Sequence, residues 1–235
     1  MLTPKRHRGF EHLDDPATTP ALRERSLRDV RRANTVLGGA NAVLSELRRL
    51  LPSLPRDASL LDVGTGLADI PVRARRLAER HGVNLAAFGV DQAETLAIAS
   101  GRVLDASACA DARYLPFADA SMDVVICSQV LHHFEDDDIT LVLREMHRVA
   151  RSAVIVSDLR RSWVAVSGFW LVTWLLGFHS VSRHDGVVSV LRGFTDTDLA
   201  EHVHRATGSV ANIRRHLGYR LTATWTPHHE RPSTA

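Results

Sequence analysis

The most constraining feature of this chain is a glycine-containing turn, DVGTGLAD, at residues 62–69. An apolar pair, Leu60–Leu61, precedes it, and Pro71 opens a helical pattern of apolar residues after it. This order predicts a strand, a tight turn and then a helix. Gly64 and Gly66 lack a Cβ, so the backbone can bend sharply and a ligand can lie against it, while the first N–H groups of the helix offer hydrogen-bond donors. The sequence therefore predicts a ligand-binding loop.

The third small residue of the turn separates two cofactor classes. A dinucleotide loop of the form G-x-G-x-x-G would need glycine at position 69, where the chain has Asp69. The small residue is instead Ala68, which gives the pattern D-x-G-x-G-x-A. This pattern resembles motif I of the class I S-adenosylmethionine (SAM) dependent methyltransferases, whose usual third residue is glycine. An NAD(P)-linked oxidoreductase is therefore the disfavoured alternative.

Three later segments resemble the same family in order and spacing, so that the resemblance covers residues 59 to 159. A second apolar run ends at Asp91, where the family carries the acid that binds both ribose hydroxyls; a carboxylate suits this task because it accepts two hydrogen bonds at once. CADARYLPF at 109–117 resembles the family's adenine-reading segment, and SQVLHHF at 128–134 follows a run like its fourth strand. The resemblance implies SAM as cofactor and the following cofactor-binding residues: Asp62, Gly64, Thr65, Gly66, Asp91, Gln92, Asp111, Ala112 and Ser128.

The length of 235 residues fits one domain with additions. Strand and helix patterns alternate over 59–159, as a parallel sheet demands, and a hairpin pattern follows over 210–225. We expect an α/β, Rossmann-like fold with a seven-stranded, mostly parallel sheet, a C-terminal antiparallel hairpin, helices on both faces, N-terminal helices and a helical insertion after the fifth strand. The expected domain plan is a flexible arm at 1–20, a methyltransferase domain at 21–226 with a substrate-cap insertion at 162–193, and a disordered tail at 227–235.

The expected cap is rich in aromatic residues, which is typical of pockets for flat, apolar molecules. Its apolar run, Trp163 to Phe178, is shorter than the ~18–20 residues that a membrane-spanning helix needs, so we expect no transmembrane segment. A pocket wall, a homodimer interface and a peripheral membrane contact remain alternatives for this run. The candidate substrate-binding residues are Trp163, Trp170, Arg183 and Arg192. Just beyond the cap, Thr195 and Asp198 form a helix-start pattern.

The charge and the cysteine content bear on partners and location. The net charge of +2 is spread over 29 basic and 27 acidic residues, which does not indicate a nucleic-acid partner. Cys109 and Cys127 lie in strand-like apolar runs, and we interpret both as buried, reduced thiols. With no apolar stretch at the N-terminus that is typical of a secretory signal, we expect a cytoplasmic protein. No metal is expected.

Three histidines are candidates for catalysis. A phenol loses its proton as it attacks a methyl donor, and histidine suits the role of base near neutral pH. His132 and His133 follow the fourth strand, and His184 lies beside Asp185, an acid that could orient its ring. The overall pattern is similar to the quinone and polyketide branch of the family, which implies O-methylation of a small, apolar hydroxy-aromatic. C-methylation of a similar ring and a non-catalytic SAM-binding accessory protein remain alternatives.

Overall fold

A seven-stranded sheet organises the computed structural model, which describes residues 3–7, 9–12, 19, 22, 25, 29 and 38–228. In chain order, the strands are β1 (Asp57–Val63), β2 (Asn84–Asp91), β3 (Ala106–Cys109), β4 (Met122–Ser128), β5 (Ala150–Leu159), β6 (Asn212–His216) and β7 (Arg220–Trp225). They are arranged as β3-β2-β1-β4-β5-β7-β6. The first five strands are parallel, and β7 runs antiparallel to both β5 and β6. The predicted sheet with its closing hairpin is confirmed.

Helices cover both faces of this sheet. Those in the described part of the chain are α1 (Gly39–Leu50), α2 (Asp69–Glu79), α3 (Glu94–Ser100), α4 (Asp136–Val149), α5 (Trp163–Leu175), α6 (Ser180–Arg192) and α7 (Asp196–Thr207). The 3₁₀ turns Leu51–Ser53 and Leu131–His133 lie in the connections. Most of residues 20–37, where the first of the expected N-terminal helices falls, and residues 229–235 of the predicted tail lie outside the described residues.

Strand β4 shows how the two faces are built. Its side chains alternate, so Val125 and Cys127 join the apolar cluster under α4 and α7, while Val124 and Ile126 join the cluster under α1 and α2. A nearly continuous apolar strand of this kind is typical of a parallel sheet that is covered on both sides. The faces are therefore filled, and the C-terminal ends of the strands are left to the loops that carry the candidate site.

The insertion at 162–193 forms helices α5 and α6. The Ser162 hydroxyl accepts hydrogen bonds from the N–H groups of Val164 and Ala165 and caps α5. The two helices pack closely, because a Cβ on Gly186 would collide with the ring of Phe169. In the portion of the chain that the structure describes, no helix is both long and apolar enough to cross a membrane.

The predicted start of α7 is confirmed as a capping box. The Thr195 hydroxyl accepts a hydrogen bond from the Asp198 N–H at 3.1 Å, and the Asp198 carboxylate accepts one from the Thr195 N–H at 2.9 Å. The same carboxylate lies 2.7 Å from the buried Arg161 guanidinium. This cap therefore joins α7 to the end of β5.

Residues 3–7 and 9–12, which we call the strap, lie against the cap and the end of β5. The Arg161 guanidinium donates to the Pro4 carbonyl at 2.9 Å, and the His7 N–H donates to the Leu191 carbonyl at 3.2 Å. The Arg6 side chain donates to the Arg192 carbonyl at 2.9 Å. The described part of the expected flexible arm is therefore packed on the protein.

The two cysteines differ in exposure. Cys127 is buried on β4, as expected, whereas Cys109 is exposed, so its predicted burial is wrong. The reason is the position of β3 at the edge of the sheet, where only β2 pairs with it. Both cysteines are free thiols.

Candidate active site

The glycine loop joins β1 to α2 and has a left-handed backbone at three positions. Gly64, Gly66 and Ala68 have φ values of 76°, 55° and 62°. A Cβ on Gly64 would collide with the side chain of Val130, whereas a Cβ on Gly66 would meet nothing within 4 Å. Gly64 is therefore required for packing against the loop after β4, while Gly66 leaves open space beside the backbone, as a ligand-binding loop needs.

Asp91, at the end of β2, holds this loop in place. Its two carboxylate oxygens accept hydrogen bonds at 2.9 Å, one from the Gly66 N–H and the other from the Ala93 N–H. The N–H groups of Gly64 and Thr65 both donate to the Val90 carbonyl. Each oxygen of a carboxylate has a second acceptor site, so Asp91 can still bind hydroxyls of a ligand. Gln92, the next residue, is exposed.

Asp62, at the end of β1, is a buried acid beside the same loop. Burial, together with the charges of Asp69 and Asp91, raises its pKa to about 8. A cationic ligand placed here would favour the ionised carboxylate. The loop is therefore suited to a molecule that carries positive charge.

In the predicted adenine-reading segment, the Asp111 side chain is paired with an arginine of the same segment. The Asp111 carboxylate accepts hydrogen bonds from the Arg113 guanidinium, the shortest at 2.6 Å, and the same guanidinium reaches Asp138 at 3.1 Å. The hydrogen bonds from Arg113 lower the pKa of Asp111, so it stays ionised. Ala112, between them, is half-buried. Asp111 therefore already has a strong partner in its own segment.

Two serines mark the adjacent ends of β4 and β5. Ser128 and Ser157 are partners in the parallel register, so their side chains lie on the same face of the sheet. Both hydroxyl oxygens are buried, and neither finds a hydrogen-bond partner among the described residues. A buried polar group left unpaired costs about 1–3 kcal/mol, and a ligand hydroxyl or amine could supply the missing partner.

His132 forms a buried pair with Asp158 across the ends of β4 and β5. His132 Nδ1 lies 2.7 Å from one carboxylate oxygen, and the other oxygen accepts the His132 backbone N–H at 3.2 Å. Burial alone would raise the pKa of Asp158, but His132 and the Leu159 N–H outweigh it and hold that pKa below its ordinary value. Because an ionised carboxylate only accepts hydrogen bonds, Nδ1 carries a proton, and in the neutral ring Nε2 is the acceptor.

The other two candidate histidines have weaker partners. The His133 ring lies against His132 with 4.2 Å between centroids, and the positive charge of a protonated His132, together with burial, lowers the pKa of His133 well below its ordinary value. His184 Nδ1 lies 3.2 Å from the Asp185 carboxylate, so the expected pair forms, but the His184 side chain is 54% exposed. Only His132 combines burial with a short bond to a carboxylate.

The four candidate substrate residues lie in different surroundings. Trp163 and Trp170 are about half exposed on the outer side of α5. Arg183 is half-buried, and its Nε has no hydrogen-bond partner among the described residues. Arg192 pairs with Glu11 of the strap at 2.9 Å. The charge of Arg192 acts on His133, whose pKa it helps to lower, whereas both tryptophans face solvent.

Comparison with known proteins agrees with this geometry. The sequence pattern of a family described as the methyltransferase domain matches residues 61–156, from β1 to β5. The matched segment is therefore similar to a methyltransferase domain. It contains the glycine loop, Asp91 and His132, whereas Asp158, the strap and the cap lie outside it.

Solved structures with the same fold include several methyltransferases. The plantazolicin methyltransferase, in complex with S-adenosylhomocysteine (SAH), is 13% identical with a TM-score of 0.66, covering 90% of this chain and 92% of that one. The magnesium protoporphyrin IX methyltransferase of Synechocystis, with bound SAM, is 12% identical with a TM-score of 0.55, covering 92% and 88%. A TehB-like methyltransferase of Corynebacterium glutamicum is 15% identical with a TM-score of 0.55, covering 89% and 100%. The fold is that of the class I SAM-dependent methyltransferases.

Two site residues were missed by sequence reasoning. Asp158 ends an apolar strand, and an acid that is buried in such a place needs a partner, which is a usable signal. Glu11 belongs to a polar segment without periodicity, and nothing in its sequence neighbourhood indicates that it is buried.

Proposed function

We propose that this protein is a SAM-dependent methyltransferase that transfers a methyl group to a hydroxyl of a small, apolar aromatic acceptor. The observation that carries the O-methylation proposal is the buried pair of His132 and Asp158, at the sheet edge where the glycine loop also lies. A location in the cytoplasm is part of the same proposal and is consistent with two free thiols.

The residues around the loop fit SAM. Gly66 borders open space, Asp91 keeps acceptor sites for ribose hydroxyls, and Asp62 is a buried acid whose ionised form a cationic ligand would favour. The buried hydroxyl of Ser128 lacks a partner that a ligand could supply. Asp111 fits least well, because Arg113 occupies its carboxylate, so the backbone around Ala112 is the better candidate for contact with adenine. The residues that we assign to cofactor binding are Asp62, Gly64, Thr65, Gly66, Asp91, Gln92, Ala112 and Ser128. Asp111, through its pair with Arg113, holds the backbone around Ala112 in place.

Methyl transfer to a hydroxyl requires that the acceptor oxygen be aligned with the methyl group and that a base remove the hydroxyl proton. Bound SAM supplies a methyl group on a positively charged sulfur, which is already activated for in-line displacement. His132 Nε2 accepts the proton of the acceptor hydroxyl, while Asp158 fixes the ring and stabilises the imidazolium that results. The neighbouring His133 stays neutral, because its pKa is lowered by the charge of His132. These side chains can therefore hold and move one proton beside the cofactor loop.

The proposal is tested with radiolabelled SAM and a panel of alkylated phenols. We expect methyl transfer to oxygen by the wild-type protein, and a loss of about 100-fold or more in kcat for His132→Ala, since a positioned base contributes about 10²–10⁴. Asp158→Asn should also lower kcat strongly, because the asparagine favours the wrong ring tautomer.

Three results would contradict this assignment. Product methylated on carbon alone would replace O-methylation by C-methylation. Full turnover by His132→Ala, with His184→Ala inactive, would transfer the role of base to His184. Absence of turnover with every acceptor, despite SAH binding, would favour the accessory-protein alternative.

A further inference from the structure

A groove between α1 and α2, away from the glycine loop and His132, is lined by four arginines. It is a cavity of about 480 Å³ with an apolar floor of Leu44 and Leu77. Among the described residues, no acid belongs to its lining, and we call it the arginine groove. The residues that line it are Asn41, Leu44, Ser45 and Arg48 from α1, and Arg73, Arg76, Leu77 and Arg80 from α2 and its C-terminal end.

The helical repeat places the arginines of α2 in one row. Arg73, Arg76 and Arg80 are three and four residues apart, so they lie on the same face of the helix. At 1.5 Å per residue, this row extends over about 10 Å. Asn41 and Arg48 are two turns apart on α1 and lie opposite the row, and the Arg73 guanidinium donates to the Asn41 side-chain oxygen at 2.7 Å. The two helices therefore form opposite walls of one positively charged site.

Arginines outside the groove on the same helices have acidic partners. The Arg75 guanidinium lies 2.6 Å from the Asp105 carboxylate, and Arg49 lies 3.9 Å from the buried Glu46. In the part of the chain that the structure describes, none of the four exposed groove arginines forms such an ion pair. Like charges at these helical spacings destabilise a helix. An anion in the groove would relieve this repulsion.

The chemistry of the groove fits a row of phosphate groups. A guanidinium presents a planar fork of N–H donors that matches two oxygens of one phosphate. A row of about 10 Å exceeds the reach of a single phosphate group, so several linked phosphates use the four arginines more fully. A concave site of one charge also concentrates the positive potential more than separate surface arginines do.

We propose that the arginine groove is a binding site for a small, soluble oligophosphate, that is, an anion with two or more linked phosphate groups. Binding is non-covalent, and no phosphate group is transferred. The inference goes beyond the proposed function and does not depend on it, because none of the residues assigned to the cofactor or to the base lines this groove.

The test is calorimetry of the full chain with inorganic tripolyphosphate, with and without saturating SAH. Low ionic strength is used, because salt screens exposed charges. We expect one-to-one binding that is at least ten-fold tighter than the binding of orthophosphate and is the same with SAH present. Tripolyphosphate should also raise the temperature of unfolding, since a ligand that binds only the folded state stabilises it.

Matched variants assign this binding to the groove. Arg76→Gln should weaken tripolyphosphate binding about ten-fold, the ratio that the loss of one charge-assisted hydrogen bond gives. Arg76→Lys keeps the charge but loses the planar fork, so its loss should be smaller. Replacing Arg73, Arg76 and Arg80 together by glutamine should abolish binding. Arg102→Gln, at an exposed arginine after α3, is the control and should bind as the wild type does.

Several outcomes would overturn the inference. These are an absence of tripolyphosphate binding, equal affinity for orthophosphate, full binding by the triple variant, or an equal loss in Arg102→Gln. Binding to phosphatidylglycerol vesicles that requires the three arginines, without binding of tripolyphosphate, would replace the oligophosphate by a lipid headgroup. Failure of the proposed function would appear instead as an absence of SAH binding with the tripolyphosphate results unchanged. If thermal unfolding shows that the triple variant is misfolded, Arg76→Gln decides.

Discussion

The roles of individual residues in this site follow from partners that are distant in the sequence. His132 and His133 are neighbours in the chain, yet only His132 reaches the Asp158 carboxylate, 26 residues away. The sequence predicted the histidines from their place after the fourth strand. It could not choose between them, because the choice depends on which ring points toward the end of β5. The glycine loop, by contrast, was predictable in detail, since its function depends on local backbone geometry.

Asp62 gives a prediction about protons at the scale of a single residue. Its pKa is raised to about 8, so in the ligand-free protein it is protonated at pH 7. Binding of SAH, whose amino group is cationic, should favour the ionised form and release a proton. Calorimetry in two buffers with different ionisation enthalpies should give different apparent binding enthalpies, and Asp62→Asn should remove the difference. Equal apparent binding enthalpies in the two buffers for the wild-type protein would mean that the amino group of SAH does not lie beside Asp62.

The same residue has a consequence for stability. Because the folded-state pKa is raised above the unfolded one, this group weakens the ligand-free fold as the pH rises from about 4 to about 8. At pH 8.5, ligand-free Asp62→Asn should therefore unfold at a higher temperature than the wild type. An increase of roughly 2–4 °C would correspond to about 1 kcal/mol.

At the scale of elements, periodicity predicted most helices and strands, whereas the strap and the outer face of α5 were not predictable. The strap has no periodic pattern, and it is held by backbone carbonyls and by arginines from distant parts of the chain. The aromatic residues of α5 were expected to line a pocket, but Trp163 and Trp170 are about half exposed. Composition indicates that an apolar surface exists, while only packing decides which side of a helix is covered.

The capping box of α7 provides a test at this scale. Thr195→Ala removes a hydroxyl that accepts the Asp198 N–H, and loss of such a cap costs about 1 kcal/mol. The midpoint of thermal unfolding should fall by roughly 2–4 °C. Thr197→Ala, an exposed threonine in the same helical turn, is the matched control and should unfold close to the wild-type temperature. Equal losses in both variants would show that the cap contributes nothing specific.

At the scale of the whole molecule, the parallel sheet gathers the site at one edge. The ends of β1 and β2 carry the acids and the glycine loop, and the ends of β4 and β5 carry His132 and Asp158. The cap and the strap then meet beside His132 through Arg192 and Glu11. The first arrangement was predictable from chain order, because parallel strands place their C-terminal ends together. The position of the cap and the strap depends on tertiary packing of segments outside residues 61–156, the part of the chain that matches the methyltransferase family.

The most direct test of the account is a calorimetric titration of the purified protein with SAH, with NADPH as the parallel control. We expect one-to-one binding of SAH in the micromolar range and no binding of NADPH. Asp91→Ala should weaken SAH binding by about ten-fold or more, since a buried hydrogen bond to a charged acceptor is worth about 1.5–3 kcal/mol. Saturable binding of NADPH without SAH binding, or an Asp91→Ala variant with unchanged affinity, would contradict the assignment of the glycine loop to SAM.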